Sequence, residues 1–156
     1  MYEDAIAAIL NEAIAGIRDT LEQERINATG KASESLEVET YEGGARMLGC
    51  GYFSALEQGN EPIIDPTLEE AIREWINAKI ARGWFTLRGG KDTEEERDKA
   101  AYYIANSLQE RGTKLYQQGG RDDVYTDKLK RAVSDIQAKL AGVAEIQIKE
   151  SLEKKL

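Results

Sequence analysis

The sequence predicts an α+β chain: an N-terminal amphipathic helix, a small antiparallel β-sheet, and a predominantly helical second half. Three observations carry this. Apolar residues recur at steps of three and four near the start, the period changes to two after Gly30, and the helical period returns from Thr67 onward. The 156 residues suit a single domain, with a helix and β-hairpin core over 1–59, two helices over 67–112 and a C-terminal helical segment over 126–156.

Tyr2 to Arg25 reads as the first helix. Ile6, Ile9, Leu10, Ala13, Ile14, Ile17 and Leu21 form its stripe. Glu3 and Asp4 lie in the first turn, where the helix dipole favours acids. Ala28-Thr29-Gly30 is expected to end it. From Glu34 the residues alternate: Glu34, Leu36, Val38 and Thr40 on one side, Ser35, Glu37, Glu39 and Tyr41 on the other. This predicts a strand with one apolar and one acidic face. Glu42-Gly43-Gly44 supplies the hairpin turn. A second strand is expected to place Leu48, Cys50 and Tyr52 on one face and Met47 and Phe53 on the other, with Gly49 and Gly51 marking a bulge or close packing.

Leu56 to Pro66 reads as a loop. Thr67 with Glu70 forms a capping-box pattern for a helix to about Arg82, with Leu68, Ile72, Trp75, Ile76 and Ile80 on its stripe and Gly83 as its stop. Trp75 is expected in the core, while Trp84 and Phe85 are read either as core or as a docking surface. Thr93 with Glu96 repeats the capping pattern for a helix that stops at Gly112. Thr113 to Arg121 reads as a linker. From Thr126 a last helical stripe runs Leu129, Val133, Ile136, Leu140 and Val143, with Gly142 a place for a bend. At about 45 Å for 30 residues such a helix outruns a globule of this size, so part of the stripe is expected to meet a neighbouring subunit.

Composition narrows the chemistry. Histidine is absent and Cys50 is the one cysteine, so the usual neutral-pH base, a Cys/His zinc site and an intrachain disulfide are all ruled out. Cys50 reads as a buried structural thiol, and a reducing cytoplasm suits it. The longest apolar run, Ala5 to Leu10, is too short to span a membrane, and the acidic N-terminus does not look like a secretion signal. Arg88-Gly89-Gly90-Lys91-Asp92-Thr93 is not a phosphate loop, because that spacing needs glycine where Phe85 stands and a hydroxyl where Asp92 stands. Asp122, Asp123 and Asp127 read as cap and turn residues rather than a cation site. No catalytic, cofactor or metal residue is assigned.

Net charge is −8, and residues 1–70 alone carry −11. Unspecific nucleic-acid binding is therefore disfavoured. The acidic strand face of Glu37 and Glu39, with Glu34 nearby, is expected to face water or a channel rather than a dry ion-paired interface.

The order of parts resembles the tail-component and neck-protein family of tailed bacteriophages. Thr29-Gly30, Ser35-Leu36, and Tyr52 with Leu56-Glu57 and Gly59 match its "thr-gly … ser-leu" and "tyr-x-x-x-leu-glu-x-gly" patterns. Ala71-Ile72-Arg73-Glu74-Trp75-Ile76, Ala101-Tyr102-Tyr103-Ile104-Ala105 and Gly112-Thr113-Lys114-Leu115-Tyr116 resemble connector proteins of gut Bacteroides phages, including crAss-like ones. One departure is the approach to Thr29-Gly30, where an Arg-Arg-x-Pro-like stretch is replaced by Glu24-Arg25-Ile26-Asn27. The resemblance implies a non-enzymatic virion protein, assembled in host cytoplasm and located in the neck or tail. It implies a homo-oligomeric ring that contacts the portal and other connector or tail proteins, touches passing DNA only passively and needs no cofactor or membrane. Trp84, Phe85, Leu129, Val133, Ile136, Leu140 and Val143 are the candidate contacts. Two other readings stand beside it: an acidic regulatory or inhibitory protein that binds a basic partner, and a small hydrolase that uses carboxylates.

Overall fold

Leu10, Ala13, Ile14, Ile17 and Leu21 lie on one face of α1 (Tyr2–Gln23), and burying that face organises the first half of the molecule. The computed structural model describes residues 2–153, with side chains as far as Gly142. The helix ends at Gln23, well before Gly30. Arg25 takes a left-handed conformation (φ 56°), and the N–H groups of Ile26 and Asn27 turn back to the carbonyl of Leu21. A non-glycine residue holds this strained position because the reversal brings Ile26 onto the core.

A short helix, α2 (Lys31–Glu34), follows Gly30, whose φ of 83° requires glycine. Arg18 of α1 holds the next turn by donating to the carbonyls of Ser33 and Leu36. Strands β1 (Glu37–Tyr41) and β2 (Gly44–Leu48) then pair antiparallel, with Val38 opposite Met47 and Glu39 opposite Arg46. The connection is the two residues Glu42 and Gly43, and Gly43 has the positive φ such a turn demands. Val38, Ala45 and Met47 face α1.

Two expectations change here. Glu34 lies in α2 and not in the strand. The second strand stops at Leu48, so Cys50 and Tyr52 lie in the turn that follows it. The Cys50 N–H bonds to the Ser35 hydroxyl instead of a strand neighbour, and Cys50 is only partly buried. This breaks the ladder and lets Phe53 fold back against Tyr125, with ring centroids 5.3 Å apart.

The stretch expected as a loop contains α3 (Ala55–Gln58). Next come α4 (Leu68–Ala81) and α5 (Glu94–Arg111), which pack as a pair around Ile76, Ala101 and Ala105. The capping expectation holds at Thr93, whose hydroxyl accepts the Glu96 N–H at 3.2 Å. It fails at Thr67, whose hydroxyl and N–H both donate to Asp65 Oδ1. The expected linker holds α6 (Lys114–Gln117), and α7 (Thr126–Glu153) continues past Gly142 without a break. Two buried clusters join α1 to the rest. Ile14, Ile17 and Leu21 meet Ala32, Leu36 and Val124, while Leu10 and Ala13 meet Ala132. No helix among the described residues is long and apolar enough to cross a membrane.

Candidate functional site: a basic-rimmed apolar cleft

Glu57 is the organising residue. It is 3% exposed, and its Oε1 accepts the backbone N–H groups of Val124, Tyr125 and Thr126 at 3.1, 2.7 and 2.8 Å. Its Oε2 accepts the Thr126 hydroxyl at 2.5 Å. The first N–H groups of a helix have no partner within it, and their dipoles favour a negative charge. Thr126 opens α7, and Val124 and Tyr125 form the turn before it, so a carboxylate more than sixty residues away in sequence holds the entry to the helix and caps its first N–H. The backbone adds to this, since Arg121 N–H donates to Glu57 O at 2.8 Å. Asp122 and Asp123, expected as cap and turn residues, lie in the turn before α7, and neither side chain caps the helix. Asp123 pairs with Arg121 at 2.5 Å, and the Asp122 carbonyl accepts the Asp127 N–H.

Helix α3 is also tied to α6. Thr113 N–H donates to Asn60 O at 2.9 Å, and the Asn60 N–H returns to the Thr113 hydroxyl at 3.0 Å. The approach is so close that a Cβ on Gly59 would stand 2.4 Å from both Thr113 Oγ1 and Tyr116 N. The Leu56-Glu57-x-Gly59 pattern noted in the sequence is therefore a structural joint.

Between this joint, the turn after α1, and α4 lies a cleft of about 660 Å³. Ile26, Ala28, Ala32, Ala55, Leu56 and Leu115 supply apolar lining, and Trp75 and Tyr52 supply rings. Trp75, expected in the core, is half-buried and lines this cleft, because the neighbouring Ile76 takes the buried position between α4 and α5. Arg25, Lys79, Lys114 and Arg121 also line it, against one acid, Glu24. A chain of net charge −8 has gathered cations at one opening.

Lys79 closes one side. Its Nζ donates to Arg25 O at 2.6 Å and stands 5.2 and 5.7 Å from the ring centroids of Trp75 and Trp84. Burial, and then the charge of Arg25, lower its pKa below the ordinary lysine value. Tyr52 is pushed up to about 12, first by burial and then by its hydrogen bond with Cys50. Arg82 pairs with Glu22 at 2.9 Å and Lys31 with Glu74 at 2.9 Å, which holds α4 beside the turn after α1.

The other sequence candidates lie elsewhere. Glu34, Glu37 and Glu39 are exposed, and Glu39 meets Arg46 across the hairpin at 2.6 Å in an exposed pair. Trp84 and Phe85 are half-buried. The Phe85 ring stands edge-on to Trp75 at 5.6 Å, and Arg82 lies over Trp84 at 4.6 Å, so both rings are used within the chain. On α7, Leu129 and Ile136 are half-buried, but Val133 and Leu140 are 53% and 40% exposed. Ala132, absent from the expected stripe, is buried against Leu10 and Ala13 of α1, with Ile136 packed beside it. Val143 lies outside the residues whose side chains are described. Among the described residues, no group of three or more Cys, Asp or Glu side chains is placed to hold a metal ion.

Compared with protein-family models, curated proteins and solved structures, the chain matches none. Sequence reasoning quoted Glu57 without giving it a role and missed the cleft altogether. The one signal for the joint was the spacing of Leu56, Glu57 and Gly59.

Proposed function

We propose that the chain is a non-enzymatic structural subunit of a tailed-bacteriophage virion, forming a ring in the head–tail connector or neck or completing the tail. The observation that carries this reading is the course of α7. At 1.5 Å per residue, its 28 residues extend about 42 Å. It packs against α1 through buried Ala132 and partly buried Ile136, while Val133 and Leu140 remain exposed on the same helix. A helix that leaves its own core with apolar residues uncovered suits contact with an adjacent subunit.

Two further features support the reading. The residues that resemble the phage family hold the fold together: Gly30 opens α2, Ser35 bonds to Cys50, Leu36 is buried, and Glu57 caps α7. Glu34, Glu37 and Glu39 give an exposed acidic surface, which suits a channel through which DNA passes without adhering. In such a ring each subunit uses two different faces, one toward each neighbour.

Negative-stain electron microscopy of the full chain, alone and with the products of the genes flanking its own, tests this reading. Closed rings, or addition to a portal-bearing particle, are expected. A persistent monomer under both conditions, with no portal, capsid or tail gene nearby, overturns it.

A further inference from the structure

We propose that the basic-rimmed cleft is a docking site for the Ile63–Ile64 loop of a second copy of this chain, a contact that rests on the ring reading and gives it a specific interface. The loop Glu61-Pro62-Ile63-Ile64-Asp65-Pro66 is built to be presented. Asn60 is bonded to Thr113 at one end, by the two hydrogen bonds already described. At the other end Asp65 accepts from Thr67 through its side chain and from Gln109 through its carbonyl. Pro62 restricts the backbone between these anchors, and Pro66 restricts Asp65 from the far side. Yet Ile63 is 60% exposed and Ile64 87% exposed. An isoleucine pair held rigidly in water loses little conformational freedom on docking, which favours association.

Charge selects the occupant. Among the described residues, large exposed aliphatic side chains stand on two elements that could enter a neighbour's cleft: Val133 and Leu140 on α7, and Ile63 and Ile64 on the loop. Those on α7 stand among Lys130, Arg131 and Lys139 against the single acid Asp135, a net positive setting that the cations of the cleft repel. Those on the loop stand between Glu61 and Asp65, which the cleft attracts. Arg25 and Lys114 carry no ion pair among the described residues and so remain available to meet these acids. The apolar lining around Leu56 and Trp75 then receives Ile64. Loop and cleft are unlike surfaces, so in a ring the contact runs head-to-tail from copy to copy.

The test uses the full chain carrying Ile64→Asp, so that its own loop does not compete, and Trp84→Phe, so that Trp75 reports. A synthetic peptide of residues 60–67 is titrated in while tryptophan fluorescence is followed. A saturable change is expected, weakened at least tenfold by adding Arg25→Glu and Lys114→Glu, and lost with a peptide carrying serine in place of Ile63 and Ile64. Absence of a saturable change, or equal binding of the serine peptide, overturns the docking site. Ring formation is scored separately by microscopy of the unaltered chain. Rings without peptide binding leave the ring reading standing and remove this interface. Peptide binding without rings in any mixture keeps the interface and removes the ring.

Discussion

Glu57 and Thr126 are joined twice, through the backbone N–H of Thr126 at 2.8 Å and through its hydroxyl at 2.5 Å. This joint determines where α7 starts, and with it the direction in which the Val133 and Leu140 surface leaves the molecule.

Glu57→Ala is expected to destabilise the fold by about 3–5 kcal/mol, because it strips three N–H groups of a charged acceptor at a buried site. Glu57→Gln keeps one oxygen for those groups and is expected to cost about 1–2 kcal/mol. Urea unfolding measures both. Equal losses from the two variants contradict the capping role.

Glycines of positive φ separate into two classes. Gly59→Ala places a Cβ 2.4 Å from backbone at Tyr116 N and is expected to cost about 2–4 kcal/mol. Gly43→Ala meets nothing within 4 Å, and its cost is limited to the left-handed backbone, about 1–2 kcal/mol. Thermal unfolding of the pair ranks them, and the reverse order refutes the close packing of α3 on α6.

Val133→Ser with Leu140→Ser changes two exposed residues, so the stability of the subunit is expected to move by less than about 0.5 kcal/mol. Assembly into rings or particles is expected to be lost. Sedimentation velocity together with particle incorporation checks this, and normal assembly of the double variant removes α7 from the interface.

Asp123 is held below the ordinary aspartate pKa, chiefly by its hydrogen bond with Arg121. A depressed carboxylate binds fewer protons folded than unfolded, so its stabilisation is complete above about pH 4 and fades as the pH falls further. The pair is exposed, so the effect is small and salt-sensitive. Asp123→Asn is expected to leave a shallower loss of stability on acidification below about pH 4, as followed by circular dichroism. An unchanged acid profile refutes the contribution.

Tyr52 behaves in the opposite sense. Its folded pKa of about 12 lies above the usual tyrosine value, so the stabilisation is present below about pH 10 and lost as the pH rises through 12, and it is small because Tyr52 is 49% exposed. In a near-ultraviolet titration of the seven tyrosines, a late phase is expected that shrinks in Tyr52→Phe. An identical titration apart from total amplitude refutes the raised value.

The elements with strong periodicity were legible in the sequence because their signals are local. The α1 stripe of Leu10, Ile14, Ile17 and Leu21 and the Thr93 cap each depend on residues a few positions apart. So does the Gly43 turn, and together these determined the α+β class. The strand end at Leu48, the reversal at Arg25 and the short helices α3 and α6 were not legible, because distant partners decide them: Ser35 for Cys50, Leu21 for Ile26, and Thr113 for Asn60. The cleft was hidden for the same reason. Its cations are spread from Arg25 to Arg121, and only packing brings them to one opening. Local hydrogen bonding and hydrophobic periodicity are written along the chain. Where a buried carboxylate finds its N–H groups is decided by the cost of leaving them unpaired, and that cost arises only once the fold has closed over them.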